Sequence, residues 1–176
     1  MISIKHLGEA KNKEQAKILL KQSEDEAPVD KSGPEDINEL WQNVLSNEIC
    51  LVLVTESDEI VGVITGVPNW KGISGVGRYH DMFIKEGYRR RGLGLQLIER
   101  LIKEFEQNGM KLVIGRTWNT NIPSNKLYEK AGFKFLRRIR GAKITGEDTM
   151  WYYLELEAGA KEKMFNKIEP HLTFMI

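Results

Sequence analysis

Residues 84–94 read Ile84-Lys85-Glu86-Gly87-Tyr88-Arg89-Arg90-Arg91-Gly92-Leu93-Gly94. An apolar run typical of a strand ends at the start of this stretch, and a glycine-bearing turn follows it. Leucine, isoleucine and phenylalanine then recur at helical spacing from residue 97 to residue 105, and Gly109 ends the pattern. The stretch therefore predicts a strand, a turn and a long helix in direct succession, with the helix over residues 92–108.

The start of this helix suits a phosphate group. The first amide groups of a helix have no partner within it, and the helix dipole makes that end positive. Gly92 and Gly94 let a ligand approach the backbone closely, and three consecutive arginines add positive charge. Arginines alone are equally consistent with a solvated basic surface, but in this context they indicate a pyrophosphate site over residues 89–94.

Spacing distinguishes this site from two other phosphate motifs. A Walker loop needs lysine and then serine or threonine after its second glycine, whereas Arg78 follows the glycines at 72 and 77. A dinucleotide fingerprint needs a third glycine, which Gly92-Leu93-Gly94 lacks at residue 97. The pattern that fits is R-x-x-G-x-G, which begins at Arg89.

Periodicity along the rest of the chain predicts a mixed α/β domain around one central sheet. Strands are predicted at residues 2–4, 49–54, 60–64, 78–84, 112–114, 133–139 and 149–157, and helices at residues 14–22, 34–46, 92–108 and 123–130. Residues 23–33 are polar, acidic and interrupted by proline and glycine, which predicts a loop. The long helix lies between two strands, so we expect a right-handed crossover that joins parallel strands.

Composition is that of an ordinary globular protein. The chain has 176 residues, of which 41% are hydrophobic and 29% charged, and its net charge is +1. A single cysteine, Cys50, rules out an intrachain disulfide and favours a reducing compartment. Neither a signal-peptide pattern nor a run of about 18 apolar residues is present, so we expect a cytoplasmic protein with no membrane partner.

A second segment makes the reading specific. Residues 121–133 read Asn121-Ile122-Pro123-Ser124-Asn125-Lys126-Leu127-Tyr128-Glu129-Lys130-Ala131-Gly132-Phe133. Together with R-x-x-G-x-G, this segment resembles the motifs of the GNAT superfamily of N-acetyltransferases, and the resemblance extends over residues 49–139. Family members often have proline at the position of Glu86 and alanine at that of Ser124; neither departure affects the cofactor prediction.

The resemblance implies a fold and a co-substrate. The fold is a central mixed, mostly antiparallel sheet with splayed parallel strands and helices on both faces. Residues 1–157 would form one N-acetyltransferase domain, with residues 158–176 packed on it as a helix and tail. Acetyl-CoA would be the co-substrate, and no residue is assigned to a metal. The implied cofactor-binding residues are Met82, Phe83, Ile84, Arg89, Arg90, Arg91, Gly92, Leu93, Gly94, Asn121 and Ser124.

Two side chains are the candidates for proton transfer. The resemblance implies that Tyr128 lies near the CoA sulfur, where a phenol can protonate the leaving thiolate; the alternative is a packed aromatic. His80 titrates near neutral pH and is the candidate base for the amine, unless it is structural. Strand alternation predicts that Asp81 faces the opposite side of the sheet from His80. Asp81 is therefore a second candidate base only if the two faces are assigned wrongly. Asn121 has the alternative role of a helix cap.

We expect the acceptor to be an amine of a small molecule or peptide. Cys50 lies in an apolar run and is predicted to be core, so direct attack in a ternary complex is expected. Early acidic residues favour a cationic amine, although they are also consistent with a solvated loop. These are Glu24, Asp25, Glu26, Asp30, Glu35 and Asp36. Trp70 and Trp118 are predicted to line the acceptor pocket from exposed loops.

Two other functions use the same features. A non-catalytic acyl-CoA sensor would keep the phosphate site but would need neither Tyr128 nor a base. A nucleic-acid-binding module would use the arginines at 89–91 and 137–140, but the near-zero net charge argues against a nucleic-acid partner. The apolar residues near the carboxyl terminus would serve a homodimer contact or fold back on the chain's own core.

Overall fold

A computed structural model describes residues 1–33 and 36–172. These residues form seven strands and five α-helices, together with short 3₁₀ turns. The strands are β1 (Ile2–His6), β2 (Ile49–Thr55), β3 (Ile60–Val67), β4 (Val76–Ile84), β5 (Leu112–Trp118), β6 (Lys134–Ile139) and β7 (Thr149–Glu155). The helices are α1 (Glu14–Glu26), α2 (Ile37–Ser46), α3 (Leu93–Gln107), α4 (Ile122–Lys130) and α5 (Ala160–Ile168).

The strands form one mixed sheet in the order β1-β2-β3-β4-β5-β7-β6. Strands β1 and β2, β2 and β3, β5 and β7, and β6 and β7 pair antiparallel. Strands β4 and β5 pair in parallel, from Val76 opposite Leu112 to Arg78 opposite Ile114. Since α3 connects these two strands, the predicted helical connection between parallel strands and the predicted mostly antiparallel sheet are both confirmed. The right-handedness of the crossover stays a prediction.

The chain divides into two compact units. Unit 1 comprises residues 1–27, 35–67 and 80–104, and unit 2 comprises residues 28–34, 68–79 and 105–176. Strand β4 and helix α3 each contribute residues to both units. The single domain over residues 1–157, with residues 158–176 packed on it, stays a prediction.

Unit 1 is built on the β2–β3 hairpin and the inner faces of α1 and α2. Leu19 and Leu20 of α1 and Leu40 of α2 are at most 1% exposed, and each contributes about 1.5–3 kcal/mol by its burial. Helix α2 begins where the Asp36 carboxylate accepts a hydrogen bond from the amide of Asn38 at 2.7 Å. The core of this unit is therefore apolar and held by helix faces with the expected periodicity.

Unit 2 depends on two strand glycines that let aromatic rings approach the backbone. A Cβ atom at Gly77 would lie 2.8 Å from the Phe105 ring, and one at Gly115 would lie 2.4 Å from the Tyr128 hydroxyl. Both contacts are too short for any side chain larger than hydrogen. Phe105 comes from the end of α3, so this contact holds the helix against β4 within the unit.

Among the helices, two boundaries differ from the predicted ones by more than one residue. Helix α1 continues to Glu26 through the first part of the predicted loop, and the Lys21 ammonium lies 2.7 Å from the Asp25 carboxylate one turn on. The helix ends at Glu26, and Ala27 is extended with φ of −80° and ψ of 141°, because helical geometry is disfavoured for a residue that precedes proline, here Pro28. Helix α2 begins at Ile37, and the predicted start at Pro34 lies outside the described residues, as do residues 173–176 of the predicted tail.

Candidate active site

The turn between β4 and α3 contains two residues with left-handed backbone. Arg90 has φ of 62° and Gly92 has φ of 77°, and α3 begins at Leu93. A positive φ at arginine costs about 1–2 kcal/mol, which the surrounding structure must offset. Backbone conformations of this kind turn successive N–H groups toward one point and form a concave anion-binding surface. This backbone agrees with the predicted anion site over residues 89–94, which stays a prediction.

The first turn of α3 adds to this surface. Its opening amides have no helical carbonyl to bind, and no acidic side chain lies in that turn. Nothing lies within 4 Å of a Cβ built at Gly92, so glycine is required there by its φ and not by lack of space. The helix dipole and the free space together favour a negatively charged ligand.

The three arginines have different surroundings. The Arg89 Nε–H donates to the Ile84 carbonyl at 2.7 Å, its guanidinium lies over the Phe83 ring, and its Nη2 is 3.4 Å from Glu26. The Arg91 guanidinium donates to the Gly87 carbonyl at 2.7 Å. Arg89 and Arg91 therefore brace the turn, while Arg90 is exposed and its guanidinium engages no carboxylate in the described part of the chain.

His80 lies beside a carboxylate that the sequence did not indicate. Its Nδ1 is 3.3 and 3.4 Å from the two oxygens of Glu48, and both side chains are at most 8% exposed. Its Nε2 is 3.7 Å from Oδ2 of Asp81, although alternation predicted opposite faces for these neighbours. Glu48 is 32 residues away along the chain, and no local pattern marks it as a partner of His80.

Cys50 has the properties of a core residue. It is 5% exposed, and burial followed by the charge of Glu48 raises its pKa to about 12. The thiolate, which is the nucleophilic form of cysteine, is therefore negligible at neutral pH. This agrees with the expectation that no covalent enzyme intermediate forms at Cys50.

Tyr128, in unit 2, is enclosed by aromatic rings. It is 2% exposed, and its ring centroid is 4.6 Å from that of Tyr152 in a parallel stack and 5.1 Å from that of Phe133. Its hydroxyl donates to the Arg116 carbonyl at 3.1 Å. The phenol is thus held by packing and by a hydrogen bond, so the packed aromatic is observed and an added chemical role stays a prediction.

Asn121 and Asn125 shape the turn before α4. The Asn121 side chain accepts from the Ser124 amide at 3.3 Å, which is the capping role left open by the sequence. The Asn125 side-chain amide donates to backbone carbonyls of that turn, and its oxygen accepts from the Tyr152 hydroxyl at 2.7 Å. Burial, and then the charge of Glu129, raise the pKa of Tyr152. The sequence did not indicate the pairing of Asn125 with Tyr152, because that bond joins residues 27 positions apart along the chain.

The acidic residues of the predicted acceptor region mostly have partners. Asp25 pairs with Lys21, Glu26 with Arg89, and Asp36 caps α2. In unit 2, Asp30 lies 3.1 Å from Arg116 and 2.9 Å from Lys143, so two cations share one carboxylate. Glu35 lies outside the described residues. The charge of the acceptor therefore stays a prediction.

The two tryptophans are less exposed than predicted. Trp70 is 3% exposed and packs against Trp151 and His171, so the prediction of an exposed loop tryptophan is wrong at this position. Its 3₁₀ turn directs the ring into the apolar interior of unit 2, where burial of a large aromatic surface is favourable. Trp118 is half-buried at the end of β5.

The second basic segment is engaged in ion pairs. Arg137 binds Glu169 at 2.6 Å, and Arg138 binds Asp148. Such pairing removes part of the positive field that a nucleic acid would need. Across residues 1–33 and 36–172, every helix is too short or too polar to cross a bilayer.

The profile of the Acetyltransferase (GNAT) family matches residues 16–133. The L-methionine sulfoximine/L-methionine sulfone acetyltransferase of Salmonella typhimurium is 28% identical over 85 residues, which are 47% of this chain and 49% of that protein. The match thus spans about half the length of this curated relative.

Solved structures have the same fold. The structure of yncA from Salmonella typhimurium with its cofactor acetyl-CoA has a TM-score of 0.74 and 17% identity, and covers 91% of this chain and 96% of that one. The Bacillus subtilis acetyltransferase in complex with CoA has a TM-score of 0.68 and 20% identity, over 89% of this chain and 99% of that one. With the family profile matched over more than half of its length, this chain belongs to the GNAT family of acetyltransferases.

Proposed function

We propose that this protein transfers the acetyl group of acetyl-CoA to an amine by direct attack in a ternary complex. The observation that carries the proposal is the turn before α3, where Arg90 and Gly92 adopt left-handed backbone and the helix opens without an acidic side chain. A pyrophosphate is the anion that suits such a surface. Relatives solved with acetyl-CoA and with CoA support the choice of co-substrate.

The arginines would act in two ways. Arg90 is exposed and has the reach to pair with a phosphate as a charge-assisted hydrogen-bond donor. Arg89 and Arg91 hold the turn through carbonyls of Ile84 and Gly87, which keeps the amides in place before the ligand arrives. The backbone amides near Met82, Phe83 and Ile84 are expected from the family to bind the thioester carbonyl, where charge develops during attack.

Proton transfer is assigned to two side chains. His80 would take the proton of the acceptor, since an alkyl ammonium cannot attack a thioester. Tyr128 would protonate the thiolate, after its O–H rotates away from the Arg116 carbonyl. The high pKa of Cys50 supports direct attack without an acyl-enzyme, because Cys50 does not provide the thiolate that would be the nucleophile.

Two classes of amine remain as acceptors. The acidic residues of α1 and the following loop favour a cationic amine, by long-range attraction. An amino acid is the second candidate, because the curated relative is an acetyltransferase for two methionine derivatives. The cluster of Asp30, Arg116 and Lys143, with two cations for one carboxylate, leaves positive charge that a carboxylate would balance.

A thiol-release assay tests the proposed function. Acetyl-CoA is mixed with the protein and with polyamines, aminoglycosides, amino acids or peptides, and free CoA is measured. Transfer should appear with at least one class, and mass spectrometry should find the acetylated amine. Binding of acetyl-CoA without release by any amine would favour the non-catalytic sensor, and absence of binding would refute both.

A further inference from the structure

Glu48 lies directly before β2, and the function proposed above does not use it. Its side chain is 3% exposed, and that of His80 is 8% exposed. A buried carboxylate is costly unless a charged or hydrogen-bonded partner compensates its desolvation. His80 is such a partner, since Nδ1 lies 3.3 and 3.4 Å from the two carboxylate oxygens. The two side chains therefore form a buried pair within unit 1.

We propose that Glu48 is a positioning residue for acetyl transfer, which orients His80 as the base that accepts the proton of the amine. The proposal rests on the function proposed above, because a base is needed only if an amine attacks the thioester. An ionised carboxylate can only accept a hydrogen bond, so the neutral ring of His80 must carry its proton on Nδ1. The lone pair that can take a proton is then on Nε2.

Charge supports the same role. Two carboxylates face the ring, Glu48 from the segment before β2 and Asp81 from β4, whose Oδ2 is 3.7 Å from Nε2. Both favour the protonated ring. Cys50, which senses the charge of Glu48, has a pKa of about 12 and adds no charge of its own near neutral pH. Once it accepts a proton, His80 is an imidazolium between two carboxylates.

The proton balance of the step is complete. One proton of the ammonium moves to Nε2, and the lone pair it leaves on nitrogen forms the bond to the acetyl carbon. The C–S bond breaks, and its electron pair leaves with the sulfur. The nitrogen then loses a second proton, which neutralises the thiolate, and the proton on His80 returns to solvent. The net products are the amide, free CoA and one proton.

The test compares Glu48→Gln with the wild type by two measurements. NMR of ¹³C-labelled histidine follows the titration of His80 without turnover, and His80→Gln assigns its signal among the three histidines. The second measurement is the pH profile of kcat/KM with an accepted amine. In Glu48→Gln, the titration midpoint of His80 and the acid limb of kcat/KM should both fall by about one pH unit. KM for acetyl-CoA should stay unchanged.

Two further variants make the result decisive. Glu99→Gln removes an exposed carboxylate of α3 and should move neither curve. Glu48→Asp keeps the negative charge but places it farther from His80, so it should shift the titration midpoint of His80 by less. This variant replaces Glu48→Gln if Glu48→Gln does not fold. An unchanged His80 midpoint, or an acid limb that stays in place while the midpoint moves, would overturn the proposal. Absence of transfer by the wild type would refute the proposed function instead, and the titration distinguishes the two.

Discussion

At Gly115, a methyl group would lie 2.4 Å from the Tyr128 hydroxyl and 2.6 Å from its ring. Gly115→Ala should therefore displace Tyr128 and destabilise the protein by about 1–3 kcal/mol, because the surrounding rings cannot move aside without strain. Urea unfolding measures the loss, and kcat should fall with it. Gly8→Ala is the matched control, since nothing lies within 4 Å of its Cβ and stability should stay near that of the wild type.

The hydroxyl of Tyr128 separates packing from chemistry. Tyr128→Phe keeps the stack on Tyr152 and loses only the O–H that reaches the Arg116 carbonyl. If the phenol protonates the thiolate, kcat should fall about a hundredfold or more, while KM for acetyl-CoA changes little. Steady-state kinetics by thiol release measures both. A kcat equal to that of the wild type would leave Tyr128 with a packing role alone.

The turn that opens α3 contains the proposed anion site. The glycines at the two ends of α3 provide a controlled comparison for it. Gly92 precedes the helix with φ of 77°, and Gly109 follows it with φ of 75°. Neither has a neighbour within 4 Å of an added Cβ. Alanine at either position should cost about 1–2 kcal/mol of stability, since both force a left-handed alanine. Calorimetric titration with acetyl-CoA should show weaker binding for Gly92→Ala only. Equal Kd values for the two variants would contradict the placement of the anion at this turn.

Elements whose signals are local could be predicted from the sequence. The position of α3 could be predicted from the glycines at 92 and 109 and from the helical spacing of apolar residues between them. Helix ends and amphipathic faces depend on residues that are close together in the sequence. The predicted end of α1 is too early, because the polar and acidic residues after Gln22 are typical of a loop. The Lys21–Asp25 pair has the i, i+4 spacing that stabilises a helix instead. The turn itself was predicted as an anion site, but the left-handed backbone of Arg90 was not, because arginine carries no sequence signal for a positive φ.

For the whole molecule, the loss of stability in acid follows from carboxylates whose pKa is lowered in the folded state. The hydrogen bond from the Gly141 amide, followed by that from Arg138, holds the pKa of Asp148 below its ordinary value. Its contribution to stability is thus present above the unfolded pKa of about 3.9 and is lost as the pH falls through the lower folded value. Asp148→Asn should lower the urea midpoint at pH 7, and the difference should vanish at the acid end.

The control for this prediction is Glu99→Gln, an exposed change on α3 that should leave the urea midpoint of the wild type at both pH values. A deficit of Asp148→Asn that persisted below the folded pKa would mean that its charge is not the cause. In that event the side chain would act through shape or through neutral hydrogen bonds.

Contacts between distant segments are what the sequence could not supply. Glu48 and His80, or Asn125 and Tyr152, are joined only by the fold, and neither pair has a spacing that marks it. Motif residues were found because their neighbours along the chain are also their neighbours in space. The residues that position them are brought close by strand pairing and helix packing. Composition and periodicity do not predict which individual residues meet in this way.

The central claim is that the amides at the start of α3 hold the pyrophosphate of CoA. The most direct test is NMR amide shift mapping of the ¹⁵N-labelled protein during titration with CoA. We predict that the largest changes fall on the amides of residues 90–95, with saturation at one CoA per chain. The account would be contradicted if CoA bound while the amide signals of residues 90–95 did not shift and the largest changes fell on other residues.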